Sequence, residues 1–319
     1  MKRTLLARTF SVCLTLFCLT AFVQGQEINS PLPGIEHVVL IGSDGFGSHY
    51  IDWEALPNLK DMKEHGAWTV KMRSVLPSSS ALNWTSILKG APSEMHGFRT
   101  WGSKEPDIPP IALAENGKFP CLFRVLREQM PNAVTTAVYS WDGIEFVFDA
   151  AAATEQKYED GDSYAKKDAQ VLATALEQLA KKPTFAFIYF GEPDGTGHNI
   201  GWGTPEYQAM LTTIDGYVGQ IMTYLKDAGM MDKTIVLFIS DHGGSGKGHG
   251  EGLLEHMEVP WMIYGPGVKV GEITDAVVNY DNAATIAWLL GLKQPQAWRG
   301  QVIKSAFTLP DCSQVGNQQ

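Results

Sequence analysis

The chain has 319 residues, 44% of them hydrophobic and 19% charged, an ordinary globular composition with length enough to bury a sizeable core. Its formal net charge of -10 argues against nucleic-acid backbones as the main partner. Acidic substrates stay admissible, because bound metal ions can dominate a local field.

Lys2, Arg3 and Arg8 make a basic start, followed by an apolar stretch from Phe10 to Val23 and the small-residue segment Val23-Gln24-Gly25. This is the pattern of a secretory signal peptide over residues 1–25. A single membrane anchor is the alternative, but the stretch falls short of the ~20 residues a span needs. A lipoprotein site at Cys18 would want small residues before it, where Leu16 and Phe17 stand. Cleavage would take away three positive charges and no acids, so the net charge of -10 becomes -13. No later apolar run reaches membrane-spanning length, so no stable span is expected after cleavage. Residues 26–319, free of repeats and long linkers, are expected to form one catalytic domain, secreted or periplasmic, with a frayed tail from Asp311. Cys121 and Cys312 follow the leader; an oxidising compartment permits their pairing without requiring it. Neither has the CxxC spacing of a cysteine zinc site.

Val38 to Ile41 is a short β-branched apolar run closed by Gly42, read as a buried strand. A helix is predicted over Leu56–His65, a strand over Ala67–Met72, a short helix over Asn83–Lys89 and another over Leu122–Gln129. Ala133–Tyr139 reads as a strand, Tyr164–Lys181 as a long amphipathic helix and Thr184–Phe190 as an apolar strand. Pro205–Ala228 is helical, Thr234–Ser240 and Trp261–Tyr264 are strands, and Asp281–Leu290 is a helix. This alternation predicts an α/β fold, a mostly parallel sheet covered on both faces.

Polar clusters follow the apolar strands directly: Ser43-Asp44-Gly45, Glu192-Pro193-Asp194 and Asp241-His242-Gly243. Ligands of open α/β sheets bind at the carboxyl ends of the strands, so these clusters are expected on one sheet edge. Asp44 before Gly45 is also an ordinary turn pair. Asp194 and His198, four apart, can serve one metal if their loop coils into a turn; a loop Asp and a surface His are the alternative. Asp241 and His242 run into a loop with glycines at 243, 244, 246, 248 and 250 that also carries His249. Such a backbone can wrap closely around an ion, or be a mobile surface loop. Three Asp and three His without cysteine suit zinc or a similar divalent metal. Six ligands can support two ions, a known clamp for phosphoryl transfer. A hydroxyl nucleophile is then wanted, and Ser78-Ser79-Ser80 precedes the short predicted helix, whose free N–H groups favour an anionic phosphate. A helix cap is the plainer role for such serines.

Together these segments resemble the alkaline phosphatase superfamily, and within it the type I phosphodiesterase/nucleotide pyrophosphatase branch. The motifs stand in order: Ile41 to Gly45, Pro77 to Asn83, Thr85 to Gly90, Glu94-Met95-His96-Gly97, Pro193-Asp194 with His198, and Ser240 to Gly243. Gly248-His249-Gly250, Val259-Pro260 and Gly265-Pro266-Gly267 complete the set, over about residues 36–290. The resemblance implies a three-layer α/β/α sandwich that hydrolyses a small-molecule phosphate ester. One divalent ion would be held by Asp194, His198 and His249, a second by Asp44, Asp241 and His242 with the Ser80 oxygen beside it, zinc being the expected identity. Asn83 would donate to a non-bridging phosphate oxygen, and the reaction would pass through phospho-Ser80. His96 would make a structural hydrogen bond.

Three departures from the branch matter. Its nucleophile is commonly Thr; Ser80 stands here with Ser79 and Ser78 as rivals, and Asn83 three residues on supports Ser80. Its last metal His often follows an insertion; here the loop is short and His249 is preferred to His256. The chain is also small, so a substrate-binding cap is expected to be reduced. The sulfatase modification motif Cys/Ser-x-Pro-x-Arg is absent at Ser80. A phosphomonoesterase on the same metals is the alternative activity, and would call for extra cations near the phosphate, with Lys89, Arg99 and Lys104 as unplaced candidates. A metal- or phosphate-binding protein without catalysis is the other alternative. Trp84, Trp101, Trp141 and Trp202 are candidates to line a base- or sugar-stacking site, against core packing or loop anchoring.

Overall fold

The computed structural model of the protein describes residues 30–309. The expected signal peptide, Cys18, Cys312 and the tail from Asp311 lie outside the described residues. Eight strands form one sheet: β1 His37–Ser43, β2 Ala67–Arg73, β3 Thr135–Tyr139, β4 Glu155–Tyr158, β5 Phe185–Phe190, β6 Thr234–Ile239, β7 Glu258–Tyr264 and β8 Gly271–Glu272. Their order is β4-β3-β5-β1-β6-β7-β2-β8. Only β7 runs against its neighbours β6 and β2, so the sheet is mostly parallel, as expected.

The helices are α1 Pro57–His65, α2 Ser80–Lys89, α3 Ser93–His96, α4 Leu122–Gln129, α5 Ile144–Val147, α6 Tyr164–Leu179, α7 Asp194–Asn199, α8 Pro205–Asp227, α9 Leu254–Met257 and α10 Asp281–Leu289. Strand residues alternate between two cores, as a period of two requires. Val38 and Leu40 of β1 pack with α2, α4 and α10, whereas Val39 and Ile41 pack with α1, α6 and α8. Helices thus cover both faces of the sheet, giving the three-layer alkaline phosphatase-like sandwich. Among the described residues no helix is long and apolar enough to cross a membrane.

α2 begins at Ser80, three residues before the predicted start, with Ser79 at its N-cap. The polar letters of Ser-Ala-Leu-Asn hid that first turn, which is nevertheless fully buried. The pairing of β1 with β5 on one side and β6 on the other is parallel and in step, Val38 standing opposite both Phe185 and Ile235. Three strand ends therefore come level at one edge, carrying Asp44, the Glu192-Pro193-Asp194 segment and Asp241-His242.

Candidate active site

Asp44 follows the last residue of β1 and is 2% exposed. Its two carboxylate oxygens are divided by partner. Oδ2 accepts hydrogen bonds from the Tyr189 hydroxyl at 2.6 Å and the Trp84 indole at 3.0 Å. Oδ1 faces the Ser80 hydroxyl at 3.4 Å and His242 Nε2 at 3.4 Å. The donors on one oxygen orient the other, as supporting hydrogen bonds do around metal ligands. β1 passes so close beneath Trp84 that a Cβ on Gly42 would lie 2.4 Å from the indole, so glycine is what lets Trp84 reach Asp44.

Asp241 and His242 leave β6 and are wholly buried. Asp241 Oδ1 accepts from the Gly45 amide at 3.2 Å, and the Ser74 hydroxyl donates to the Asp241 carbonyl at 2.5 Å. Asp241 Oδ2 is buried without a hydrogen-bond partner among the described residues and lies 3.3 Å from His242 Nε2. Asp194 and His198 sit at the two ends of one turn of α7, so the loop does coil as their joint use of one metal requires. Asp194 Oδ1, also buried without a hydrogen bond among the described residues, stands 3.5 Å from His198 Nε2 and 3.7 Å from His249 Nε2.

The three imidazoles share one arrangement. Each directs Nδ1 at a main-chain carbonyl: His242 at Gly243 (2.8 Å), His249 at Ser78 (2.8 Å) and His198 at Lys247 (3.1 Å). A carbonyl only accepts, so each Nδ1 carries a proton. Burial pushes the pKa of both His242 and His249 down to about 3, so both rings are neutral. His198 Nε2 and His249 Nε2 face each other at 3.0 Å, the lone pair of the neutral His249 ring aimed at His198. Beside them burial, then the charge of Asp44, raises Asp194 and Asp241 well above the usual carboxylate range. Converging lone pairs and buried, unpartnered carboxylate oxygens are what a cation relieves. Ligand atoms of Asp194, His198 and His249 all lie within 4.8 Å of one another, as do those of Asp44, Asp241 and His242. These are the two expected ligand sets, and their nitrogen/oxygen chemistry fits divalent metals.

Ser80 is the first residue of α2, and its Oγ lies 3.1 Å from His242 Nε2. The rival Ser78 is turned away: its hydroxyl donates to the Glu251 carbonyl and accepts from the Gly250 amide. His256, the rival for His249, bonds the Ser245 hydroxyl and the Glu251 amide and belongs to neither ligand set. His96 is buried against the Ser86 hydroxyl and the Phe98 amide, in the structural role expected.

Asn83 departs from expectation. It is wholly buried, and its amide is spent on the chain that leads into α2. Nδ2 donates to the Ser79 carbonyl at 2.9 Å and to those of Val75 and Pro77 at 3.3 Å. Oδ1 accepts from the Val75 amide at 2.8 Å and from Asn279 Nδ2 at 2.5 Å. With every donor and acceptor engaged, Asn83 does not point at a phosphate; it holds the 75–79 segment, and so Ser80, in place. Asn83→Ala should therefore cost about 2–4 kcal/mol of stability by stranding several buried polar groups, readable in a thermal or urea melt. A phosphate donor alone would leave the melt unchanged.

A cavity of about 250 Å³ opens over the two ligand sets, bordered by Asp44, Ser80, Asp194 and His198 and walled by Trp101 and Trp141. Trp101 is 66% exposed. Trp84 and Trp202 are instead supports: the latter is buried and donates to the Gly45 carbonyl at 3.0 Å. Among the described residues lining this cavity there is no Lys or Arg. Lys89 and Lys104 border a different one, and the Arg99 amide belongs to a turn held by Asp107.

Sequence reasoning missed three supporting residues, Tyr189, Asn279 and Asp168, and named Trp84 as a candidate for stacking or core packing without its bond to Asp44. Both oxygens of Asp168 accept main-chain amides at 2.9 Å, from Gly191 and Glu192, which fixes the approach to α7. Burial pushes its pKa up to about 7. A signal for it existed, since Asp168 falls on the buried stripe of α6 with Val171, Leu172, Ala175 and Leu179.

The family model described as type I phosphodiesterase / nucleotide pyrophosphatase matches residues 38–247. Venom phosphodiesterase of Naja atra is 26% identical over 225 residues, 65% of this chain and 26% of the venom protein. Ectonucleotide pyrophosphatase/phosphodiesterase family member 1 of Rattus norvegicus is 29% identical over 213 residues, 64% of this chain and 24% of the rat protein. The chain spans about a quarter of the length of these curated relatives. Among solved structures, murine ectonucleotide pyrophosphatase / phosphodiesterase 5 in complex with AMP aligns with a TM-score of 0.67 at 15% identity, covering 86% of this chain and 100% of that one, a likeness of fold.

Proposed function

The chain belongs to the type I phosphodiesterase / nucleotide pyrophosphatase family, and from that premise we propose that it is a metal-dependent hydrolase of small-molecule phosphate esters, cleaving phosphodiesters or nucleotide pyrophosphates through Ser80. Asp194, His198 and His249 would hold one divalent ion and Asp44, Asp241 and His242 a second, zinc being the expected identity. When bound, such ions supply Lewis acidity and lower the pKa of a hydroxyl beside them. The observation that carries the reading is the Ser80 hydroxyl standing at the meeting point of Asp44 and His242, on the first residue of a helix.

The chain's own residues do the rest. The first-turn amides of α2 have no partners within the helix and receive non-bridging phosphate oxygens. The Ser80 hydroxyl gives up its proton to water and Oγ bonds to phosphorus as the ester oxygen on the far side leaves with the departing group and takes up a proton from water. The phosphoryl group stays on Ser80 until water displaces it and the hydroxyl is restored. Trp101 and Trp141 shield one wall of the cavity and offer aromatic surface to the leaving group. Export is part of the same proposal and rests on the leader-like pattern of residues 1–25, with residues 26–319 as the catalytic domain.

A cavity without lysine or arginine favours a diester, whose single charge needs fewer cations than a monoester's two. Hydrolysis of bis-p-nitrophenyl phosphate should exceed that of p-nitrophenyl phosphate in kcat/KM by about tenfold or more, equivalent to about 1.4 kcal/mol of transition-state preference. A preference for the monoester would overturn the diesterase assignment while leaving the metal site standing.

A further inference from the structure

α2 carries Ser80 at one end and Lys89 at the other, about 13 Å apart along the helix axis at 1.5 Å per residue. Lys89 is 6% exposed. Its ammonium lies 4.2 Å from the centre of the Phe98 ring, and among the described residues it has neither a hydrogen bond nor a carboxylate partner. It borders a cavity of about 470 Å³ whose walls include Phe98, Phe119, Phe146 and Phe148. The acids nearby make no ion pair with it, their oxygens being engaged elsewhere or exposed. Asp149 is taken by Arg124 Nε at 2.8 Å, Asn116 at 2.8 Å and Lys118 at 3.5 Å. Asp107 is taken by the amides of Arg99 and Thr100 and the hydroxyl of Ser103. Glu105 and Glu145 are exposed at the rim.

A buried ammonium that rests on an aromatic face and is drawn to Asp149 only through space, without an ion pair, is an expensive arrangement. Burial accordingly pushes its pKa down to about 8. Lys89 is the one buried cation of this phenylalanine-walled cavity, Lys104 and Lys118 being exposed at its rim, and it matches one negative charge on an apolar body; a dianionic phosphate would want more donors than a single buried ammonium supplies. We propose that this cavity is a second ligand site, separate from the one at Ser80, that binds small carboxylates with an aromatic or similarly apolar body. The carboxylate sits on Lys89 and the body among the four phenylalanine rings.

The site is independent of the reaction at Ser80, so its test reads binding, not turnover. The intrinsic fluorescence of 2-naphthoate is titrated with metal-loaded wild-type protein and compared with displacement by the uncharged 2-naphthamide. Wild type should favour the carboxylate by about tenfold or more, and Lys89→Met should erase that preference while keeping a cooperative melt. Saturating inorganic phosphate, which seeks the Ser80 cavity, should not displace the probe. Equal affinity of the two naphthalenes for wild type would overturn the proposal. So would undiminished carboxylate preference in Lys89→Met, or displacement by phosphate. The wild-type comparison decides the matter even if the variant fails to fold.

Discussion

Ser80→Ala is expected to abolish turnover, by ~10³-fold or more, while the protein keeps its full complement of metal. The two halves of that expectation have separate causes. The hydroxyl is the one nucleophilic oxygen of α2's first turn found beside both Asp44 and His242, so its loss removes the bond-forming atom. Each ligand set has three residues of its own, so neither ion depends on Ser80 for its retention. Phosphodiester hydrolysis and metal analysis of the same purified variant read the two halves together. Loss of turnover in Ser79→Ala with activity kept in Ser80→Ala would move the nucleophile back by one residue.

Treatment with EDTA is expected to eliminate activity and to lower the melting temperature, with metal analysis giving close to two ions per chain before treatment. Removing the ions exposes a frustrated cluster: Asp44 and Asp241 are buried together, with the buried Asp194 Oδ1 nearby. An ion bound only by the folded state, at 100 times its dissociation constant, stabilises by about 2.7 kcal/mol. The loss should also depend on pH. Burial raises the pKa of all three carboxyls in the metal-free chain. A carboxyl raised in the folded state favours folding below its unfolded pKa, and that contribution disappears as pH climbs toward the native value. The metal-free protein should therefore weaken as pH rises from about 4 toward neutrality, and the gap between metal-loaded and metal-free melting temperatures should widen over that span. A gap that narrows with pH, or an enzyme indifferent to EDTA, would be incompatible with two carboxylate-bound ions.

Much of this site is legible in the sequence because every ligand but His198, which sits one helical turn beyond Asp194 on α7, lies just after an apolar strand or on the glycine-rich loop that follows one. Asp44 follows a strand flanked by β5 and β6, so parallel pairing alone brings three polar segments level. Asn83 was misread for a physical reason. Its place three residues after Ser80 is a matter of spacing, but the direction of its amide is set by Val75, Pro77, Ser79 and Asn279, of which Asn279 is 196 residues away. Spacing puts Asp168 on the buried stripe of α6 but does not name its partners, the amides of Gly191 and Glu192 just beyond β5. β4 escaped because Glu-Gln-Lys-Tyr is polar and mostly exposed at the sheet edge, without the alternation that marks a half-buried strand.

The contrast between the imidazoles and Asp44 has an evolutionary consequence. The three histidines are oriented by carbonyls of Gly243, Ser78 and Lys247, groups that every amino acid possesses. Mutation at those three positions cannot delete the acceptor; it acts only by moving the chain. Asp44 depends instead on an indole and a phenol, which single codon changes can remove. The nitrogen half of the site is therefore inherited with the path of the backbone, and sequence drift can adjust the oxygen half, and with it the charge felt at Ser80, without unsettling the imidazoles.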